Sequence, residues 1–428
     1  MFHLTAQFKC YLPYKDLTES VIVDRLQQFI SRCVLWLPGQ QVLLEDEKEK
    51  HIVFTPTGLD KPPVVVELLQ KSPSSSGLYP LTVTMTPMTT PTLVLPVTFD
   101  LIGLFCNDID TRLVAKQLRN RLQEQIKLIA QTIMVDKATN DQDIHSVFFF
   151  HFNLPNQHVP ITIPYPDLPL STDIRVIPSP LPDSSLLSLR TKLHQTFCLP
   201  TNRPFLRKTN RQWSPWKQEA RLFDPHVSLN LTEGGDGLAL VNGSYLYYHY
   251  MQEKFNDKGW GCAYRSLQTI WSWFRCQGYT DAPVPTHREI QQTLVDCGDK
   301  EKPFIGSSEW IGSIEVSTVL SHSLQIESRI HHCSRGADIA GTGRLLQHHF
   351  RNQGTPVMIG GGVLAHTILG VDYDEQSGDI KFLILDPHYT GPEDINLING
   401  KGCGWKRMNF WDQNASYNLC MPIRPQEI

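Results

Sequence analysis

The stretch Gly259-Trp260-Gly261-Cys262-Ala263-Tyr264-Arg265-Ser266 frames a cysteine with glycines, and the apolar run that follows at residues 267–274 is typical of a buried helix. First-turn N–H groups and the helix dipole favour negative charge, so the pKa of a thiol there can fall from about 8.5 to well below 7.5. Gly259 and Gly261 lack the Cβ atoms that would block an extended chain above the sulfur. The sequence therefore predicts a nucleophilic thiol at Cys262.

A candidate base lies at the exit of a predicted hairpin, in Asp386-Pro387-His388. Residues 366–371 and 380–385 are predicted strands, and the composition of residues 374–379 between them predicts a turn. Residues i and i+2 of an extended chain project to the same side, so Asp386 can hydrogen-bond the imidazole of His388, and the intervening proline limits the geometry. We expect Asp386 to orient His388 and His388 to accept the thiol proton.

Two other histidines compete with His388. His366 begins the preceding strand and lies before Asp386, which is the order of base and orienting residue in papain-type enzymes. Spacing alone therefore leaves a set of Cys262, His366 and Asp386 open. A second Asp-Pro-His occupies residues 224–226, but it follows a linker-like stretch rather than an apolar strand, and we interpret it as coincidence.

The residues just before the cysteine, 245–250, alternate aromatic rings along a predicted extended segment. A tyrosine hydroxyl that projects near the thiol can donate to a developing oxyanion. At least three of the four tyrosines in this segment are expected to serve packing alone. Arg265, one turn into the predicted helix, either favours the thiolate or pairs with an acid.

Length and composition limit the class of protein. The 428 residues suggest two or three domains at roughly 150 residues each. A net charge of -4 disfavours a nucleic-acid surface along the whole chain. The ten cysteines show no pairing pattern, which predicts reduced thiols in the cytosol. No signal peptide is recognisable, and the most apolar window, residues 92–106, is broken by Pro96 and Asp100, so membrane association is expected through a partner.

The sequence of the N-terminal half predicts an α+β domain without a catalytic or metal site. An apolar stripe through residues 111–134 predicts a long amphipathic helix, with strand-like runs around it. No cluster of His, Cys and acid suggests a metal site, and lone histidines such as His151 are left unassigned. A binding or scaffold domain is therefore favoured.

Two unusual stretches join the halves. Residues 154–184 carry eight prolines, which excludes a central strand or helix and predicts edge strand and extended connector. Residues 201–222 combine six basic side chains with Phe205, Trp213 and Trp216, which suits RNA or an acidic membrane surface. We favour a linker with a hydrophobic anchor. The predicted division is an N-terminal domain with the proline-rich connector at 1–200, a basic and aromatic linker at 201–237, and a catalytic domain at 238–428.

With the glycine-framed cysteine, Asp386-Pro387-His388 and Tyr250 in view, the second half of the chain resembles the cysteine proteases specific for the ubiquitin-fold modifier. The resemblance runs from about residue 245 to the C-terminus and includes residues 286–292, 310–316, 354–370 and 382–391. The long N-terminal extension is similar to that of the longer of the two members of this family.

The resemblance implies a papain-like fold of α+β class, with the cysteine on a central helix and an antiparallel sheet that carries acid and base, preceded by a separate α+β N-terminal domain. It implies a role for each of four residues: nucleophile Cys262, base His388, orienting acid Asp386 and oxyanion donor Tyr250. No cofactor and no metal is expected.

The same resemblance decides against His366 as the base. His366 becomes a neighbour that lines the site, and Trp260 and Gly261 are expected to wall a narrow trench that admits only glycine. The implied activity is hydrolysis after the terminal glycine of the modifier, which matures its precursor and releases it from conjugated proteins. The N-terminal domain is expected to bind substrates or an adaptor at the endoplasmic reticulum surface, in a protein that is cytoplasmic and not secreted.

Two alternative functions remain open at this point. The autophagy-related cysteine proteases share the Gly-Trp-Gly-Cys helix start and the Asp-Pro-His element. The residues 263–266 after the cysteine, Tyr250 and the long N-terminal half argue against that family. From another class, the chain could be an inactive protease-fold scaffold for adaptors, although the catalytic residue types are all present.

Overall fold

A computed structural model gives the fold. It describes residues 2–13, 18–30, 33–37, 40–43, 53–54, 64–71, 78–80, 92–103, 109–139, 145–154, 160–169, 181, 183–211, 221–229 and 237–428. The chain divides into two compact units, Met1–Leu189 and Arg190–Ile428. We call them the N-terminal unit and the catalytic unit, and each is described by itself.

The N-terminal unit contains ten strands and two helices within its described residues, and a third helix crosses its boundary. They are β1 (Phe2–Pro13), α1 (Glu19–Ile30), β2 (Cys33–Leu37), β3 (Gln40–Leu43), β4 (Val53–Phe54), β5 (Val64–Lys71), β6 (Leu78–Pro80), β7 (Thr92–Gly103), β8 (Ile109–Asp110), α2 (Thr111–Thr139), β9 (His145–Phe152), β10 (Ile161–Pro169) and α3 (Leu187–Thr196). The expected long amphipathic helix is therefore present as α2.

The main sheet of this unit has the order β3-β2-β5-β1-β7, with β6 beside β5. β1 pairs parallel with β5 and antiparallel with β7. α2 packs on β7, β9 and α1, and its apolar stripe is buried. β10, which carries Pro164 and Pro166, pairs with β9, and among the described strands it has no second partner, as expected for a proline-rich edge strand.

The catalytic unit continues with strands and helices in alternation. They are β11 (Leu238–Leu240), α4 (Cys262–Cys276), α5 (His287–Asp296), α6 (Ser313–Leu324), β12 (Ser328–Cys333), α7 (Gly343–Asn352), β13 (Val357–Gly361), β14 (Leu364–Tyr373), β15 (Ile380–Leu385), α8 (Ile395–Ile398), β16 (Cys403–Lys406) and β17 (Tyr417–Pro422). Seven of the strands form one antiparallel sheet of order β12-β17-β13-β14-β15-β16, with β11 beside β14.

Both faces of this sheet are covered, because its strands are apolar on both sides. In β15, Leu383 and Leu385 face the core that contains α4, whereas Phe382 and Ile384 face a second core that contains residues of α7. α4 is itself buried along nearly its whole length, from Cys262 to Phe274. The predicted arrangement, with the cysteine on a central helix and an antiparallel sheet carrying the acid and base, is confirmed.

The predicted local elements mostly appear. The helix expected from residue 286 is α5, where Thr286 and Glu289 form a capping box, and the expected hairpin is β14 and β15. Residues 245–250 form no regular strand. Leu246 makes an isolated antiparallel bridge with Phe223, and all six residues are buried.

The basic stretch at 201–222 is described only in part. Arg207 donates to the carbonyl oxygens of Gly278 and Tyr279, and Arg203 donates to the Asn242 side chain. These two guanidinium groups are therefore engaged within the catalytic unit. Trp213 and Trp216 lie outside the described residues, and the division at 200 and 237 stays a prediction. Within the described parts of the chain, no helix is both long and apolar enough to cross a membrane.

Candidate active site

Cys262 is the first residue of α4, and its preceding loop is shaped by close approach. The backbone N–H groups of Trp260 and Gly261 both donate to the Asp257 carbonyl oxygen, at 3.2 and 2.9 Å. A Cβ on Gly261 would lie 2.6 Å from the Asp257 Cβ, and Gly259 has a φ of +89°. Both glycines are thus required by the turn into the helix. Cys262 itself is 8% exposed.

Asp386 and His388 come together directly after β15. Asp386 is fixed by its N–H, which donates to the Gly402 carbonyl oxygen at 2.7 Å. Its Oδ1 accepts from the His388 backbone N–H at 2.9 Å and lies 2.6 Å from His388 Nδ1. Nδ1 therefore carries a proton, which leaves Nε2 for the thiol. Nε2 has no partner of good hydrogen-bond geometry among the described residues, and the thiol lies next to the imidazole.

The electrostatics favour an ion pair between Cys262 and His388. Burial alone would raise the pKa of the Cys262 thiol, but the interactions with His388, the Ala365 backbone and the Tyr250 hydroxyl bring it below its ordinary value. Burial opposes the charge on His388, but its hydrogen bond with Asp386 and the nearby Cys262 thiol raise its pKa to about 9. Burial also opposes the charge on Asp386, and the hydrogen bond with His388 outweighs it and lowers its pKa.

Tyr250 lies against both members of this pair. Its ring meets the His388 ring edge-on, with centroids 5.3 Å apart, and its backbone N–H donates to the Pro387 carbonyl oxygen at 2.9 Å. Its hydroxyl is a hydrogen-bond neighbour of the Cys262 thiol and the Gly259 backbone. Burial and then the neighbouring Cys262 raise the pKa of Tyr250 above its ordinary value, so the hydroxyl is a proton donor at neutral pH.

His366, on β14, lies behind the acid. Its Nε2 is 3.9 Å from Asp386 Oδ1, against 2.6 Å for His388 Nδ1, and its ring is 5.0 Å from the His388 ring. Burial lowers its pKa to about 4, so its imidazole is neutral at neutral pH. The two histidines and Asp386 form a group whose donor atoms lie within 4.8 Å of one another, close enough to hold a metal ion. In this structure two of the three groups instead hydrogen-bond each other.

Trp260 contributes a wall beside the cysteine. Its ring packs edge-on against Phe255, Tyr264 and His287. A cavity of about 550 Å³ lies on this side of the glycine loop, with Phe255, Trp260 and His287 in its lining. Trp260 and Gly261 directly precede Cys262, and of these three residues only Trp260 lines the cavity.

Sequence reasoning missed a buried charge network beneath the glycine loop. Arg265 donates from Nε to Asp257 at 2.5 Å, and the same carboxylate oxygen is 3.1 Å from His287 Nε2. Arg265 therefore pairs with an acid, one of the two alternatives for this residue. The available signal was an aspartate five residues before the cysteine and an arginine three after it, a spacing that has no general meaning outside this fold.

Comparisons with known proteins agree with this geometry. Residues 237–420 match the family model described as peptidase family C78. Residues 59–215 match the model of the N-terminal part of ubiquitin-fold modifier 1 specific protease 2. The Ufm1-specific protease 2 of Danio rerio is 52% identical over 283 residues, which cover 65% of this chain and 68% of that protein. The human Ufm1-specific protease 2 is 51% identical over 282 residues, which cover 65% of this chain but only 58% of that protein.

A solved structure extends the likeness to the three-dimensional fold. The crystal structure of UfSP from C. elegans superposes with a TM-score of 0.69 at 30% sequence identity, and covers 100% of this chain and 77% of that one. The similarity therefore includes the N-terminal unit as well as the catalytic unit.

Proposed function

The chain belongs to the family of Ufm1-specific proteases, peptidase family C78, and we propose that it hydrolyses the peptide or isopeptide bond after the C-terminal glycine of Ufm1. The observation that carries this proposal is the convergence of Cys262, His388, Asp386 and Tyr250 on one point at the start of α4. A cysteine protease needs a thiolate, an oriented base and an oxyanion donor, and these side chains supply all three.

The proposed reaction starts from the thiolate and imidazolium. Cys262 Sγ attacks the carbonyl carbon of the terminal glycine, and the resulting oxyanion accepts a hydrogen bond from the Tyr250 hydroxyl. His388 Nε2–H then protonates the leaving amine, which is the α-amine of the precursor tail or the side-chain amine of a conjugated lysine. A thioester remains on Cys262. His388 next removes a proton from water, the hydroxide attacks the thioester, and the mature modifier leaves with a free carboxylate.

The other predicted site residues take supporting roles. Trp260 and Gly261 line the passage that leads to the thiol, where only a residue without a side chain fits. We assign His366 to the wall beside His388, since its 5% exposure leaves little of the imidazole for substrate. Its neutral ring also avoids a second positive charge beside the imidazolium.

We assign the N-terminal unit to recruitment, through an adaptor at the endoplasmic reticulum surface, of an enzyme that works in the cytoplasm. The match of residues 59–215 to a dedicated N-terminal family model supports a role beyond catalysis. The exposed side of α2 carries Leu113 and Leu128, which are apolar side chains that a protein partner could cover. Removal of residues 1–189 should leave hydrolysis of free precursor and abolish co-fractionation with endoplasmic reticulum membranes.

The decisive experiment uses Ufm1 with a thiol-reactive electrophile at its terminal glycine, and matched probes built on ubiquitin and on an autophagy modifier. We expect a covalent adduct with the Ufm1 probe only, mapped by mass spectrometry to Cys262. Cys262→Ala should form no adduct, whereas Cys297→Ala, at the end of α5, should react as the parent does. Adducts with the autophagy probe would instead assign that modifier as the substrate, and reaction with no probe would favour an inactive scaffold.

A further inference from the structure

The turn that follows Tyr250 has an unfavourable backbone. Met251, Glu253 and Lys254 have φ values of 65°, 55° and 60°, in the left-handed region that residues with a Cβ rarely adopt. Three such residues in four positions persist only where surrounding contacts hold them, and clusters of this kind occur at functional sites. The contacts that hold this turn are therefore informative.

One set of contacts comes from Asp257, whose side chain is fully buried. Its Oδ1 accepts from the Met251 N–H at 2.8 Å, directly after Tyr250. Its Oδ2 accepts from Arg265 Nε, and its carbonyl oxygen accepts from the N–H groups of Trp260 and Gly261. One residue therefore joins the Tyr250 turn to the loop that presents Cys262.

The second set comes from Glu393, five residues after His388. Its Oε1 accepts from Gln252 Nε2 at 2.5 Å and lies 2.9 Å from His249 Nε2. His249 Nδ1 in turn lies 3.0 Å from the Tyr250 carbonyl oxygen. Glu393 thus contacts the chain on both sides of Tyr250 and joins it to the loop that presents His388.

From this arrangement we propose that Asp257 and Glu393 are positioning residues that hold the Tyr250 hydroxyl between Cys262 and His388. Asp257 fixes the turn from the nucleophile side, and Glu393 fixes it from the base side. The inference rests on the proposed function, because it assigns these carboxylates to the oxyanion donor of that reaction. Neither carboxylate touches the substrate or the reacting atoms.

Both groups are charged in the folded enzyme, which suits a role as hydrogen-bond acceptors. Burial alone would raise the pKa of Asp257, but the contact with His287 and the hydrogen bond from Arg265 outweigh it and lower the pKa. Burial would likewise raise the pKa of Glu393, and the bonds from His249 and Gln252 lower it. A carboxylate that accepts several N–H bonds is a rigid anchor, because each bond restricts a different direction of movement.

The test is a double-mutant cycle with Tyr250→Phe. Asp257→Asn, Glu393→Ala and Glu393→Gln are each made in the parent and in the Tyr250→Phe enzyme, and kcat and KM are measured on Ufm1 precursor. We expect Tyr250→Phe to lower kcat about 10²-fold. Asp257→Asn and Glu393→Ala should lower kcat about tenfold with KM within about twofold, as expected for a misplaced catalytic group. Glu393→Gln retains an acceptor oxygen and should recover most of the loss.

The cycle separates positioning from general damage. If the carboxylates act through Tyr250, their substitution costs nothing further once the hydroxyl is gone. An equal loss in both backgrounds, or an unchanged kcat in the parent background, would overturn the inference. Asp372→Asn is the matched control. The Asp372 side chain is 29% exposed, against 28% for Glu393, and among the described contacts its carboxylate pairs only with Lys381.

Two further readouts keep the outcome unambiguous. Asp257→Asn leaves the buried Arg265 poorly paired, so melting curves accompany every variant, and the two Glu393 variants decide the question if Asp257→Asn does not fold. Failure of the proposed function would be seen separately, as turnover that survives Cys262→Ala. An unchanged kcat in Tyr250→Phe, with Cys262→Ala inactive, would overturn this inference alone.

Discussion

The catalytic unit contains the tripeptide Asp-Pro-His twice, at 224–226 and at 386–388, and the two copies differ in every contact that matters. In the second copy, Asp386 Oδ1 lies 2.6 Å from His388 Nδ1. In the first, Asp224 has a φ of 46° and its Oδ1 accepts from the Tyr245 N–H instead. His226 Nδ1 then lies 2.8 Å from the Tyr245 hydroxyl. The backbone of the aspartate decides whether the carboxylate reaches its histidine.

The consequence appears in the proton affinity of the two imidazoles. Burial, with no carboxylate to oppose it, lowers the pKa of His226 to about 4. Burial acts in the same sense on His388, but Asp386 and Cys262 more than compensate and raise its pKa to about 9. The tripeptide alone therefore does not make its histidine a base. The preceding strand, which places Asp386 against His388, and the facing thiol raise the proton affinity of the imidazole.

The largest expected effect contrasts His388→Gln with His226→Gln. Loss of the base should lower kcat/KM for Ufm1 precursor about 10³-fold. His226→Gln should leave kcat/KM within about twofold and lower the melting temperature by a few degrees, since the lost contacts are internal. Steady-state kinetics and melting curves of both proteins make the comparison. A folded His226→Gln enzyme that lacks activity would contradict our assignment.

The next effect concerns the carboxylates. Asp386→Asn should lower kcat about 10²-fold and shift the alkaline limb of the pH–rate profile. In the parent, activity falls as pH rises through about 9, because His388 loses the proton that the leaving amine needs. Without Asp386 the imidazolium is less stable, so this limb moves to lower pH. Asp224→Asn should leave the limb in place. An unchanged limb in Asp386→Asn would show that another group controls it.

The last expected effect is on stability in acid rather than on turnover. His226, His349 and His366 each have a pKa of about 4 in the folded chain, where burial keeps them neutral. The unfolded chain binds protons from about pH 6.5, so each histidine costs stability as pH falls from 6.5 to 4, about 3 kcal/mol at the lower end. His226→Gln should therefore reduce the acid loss measured by urea unfolding, and His388→Gln should not. Equal acid slopes in the parent and His226→Gln would argue against a neutral buried His226.

Sequence reasoning predicted the elements whose signals are local. The apolar runs at residues 366–371 and 380–385 and the polar turn between them predicted the hairpin, which is present as β14 and β15. β12 and β17 were not predicted, since their short sequences pair with partners far along the chain and no local pattern specifies such pairing. The segment 245–250 was predicted to be extended, and it forms an isolated bridge between Leu246 and Phe223 rather than a regular strand, with all six residues buried.

At the site, the sequence predicted the catalytic residues but not the residues that hold them in place. Cys262 is marked by its glycines, and the reason for Gly261 proved to be the 2.6 Å approach to Asp257. The choice between His366 and His388 could not be made from spacing, because it depends on which imidazole lies within hydrogen-bonding distance of Asp386. Asp257 and Glu393 carry no sequence signal at all. Their contacts exist only after distant segments have packed.

The position of β17 in the sheet also affects when the active site can assemble during synthesis. This strand, residues 417–422, lies between β12 and β13 inside the sheet, yet it is synthesised after the other six strands of that sheet. At about 5–20 residues per second, Cys262 emerges on the order of ten seconds before the sheet beneath His388 can close. The thiol is thus synthesised before its base is in place. We therefore expect proteolytic competence only after nearly the whole catalytic unit has been synthesised.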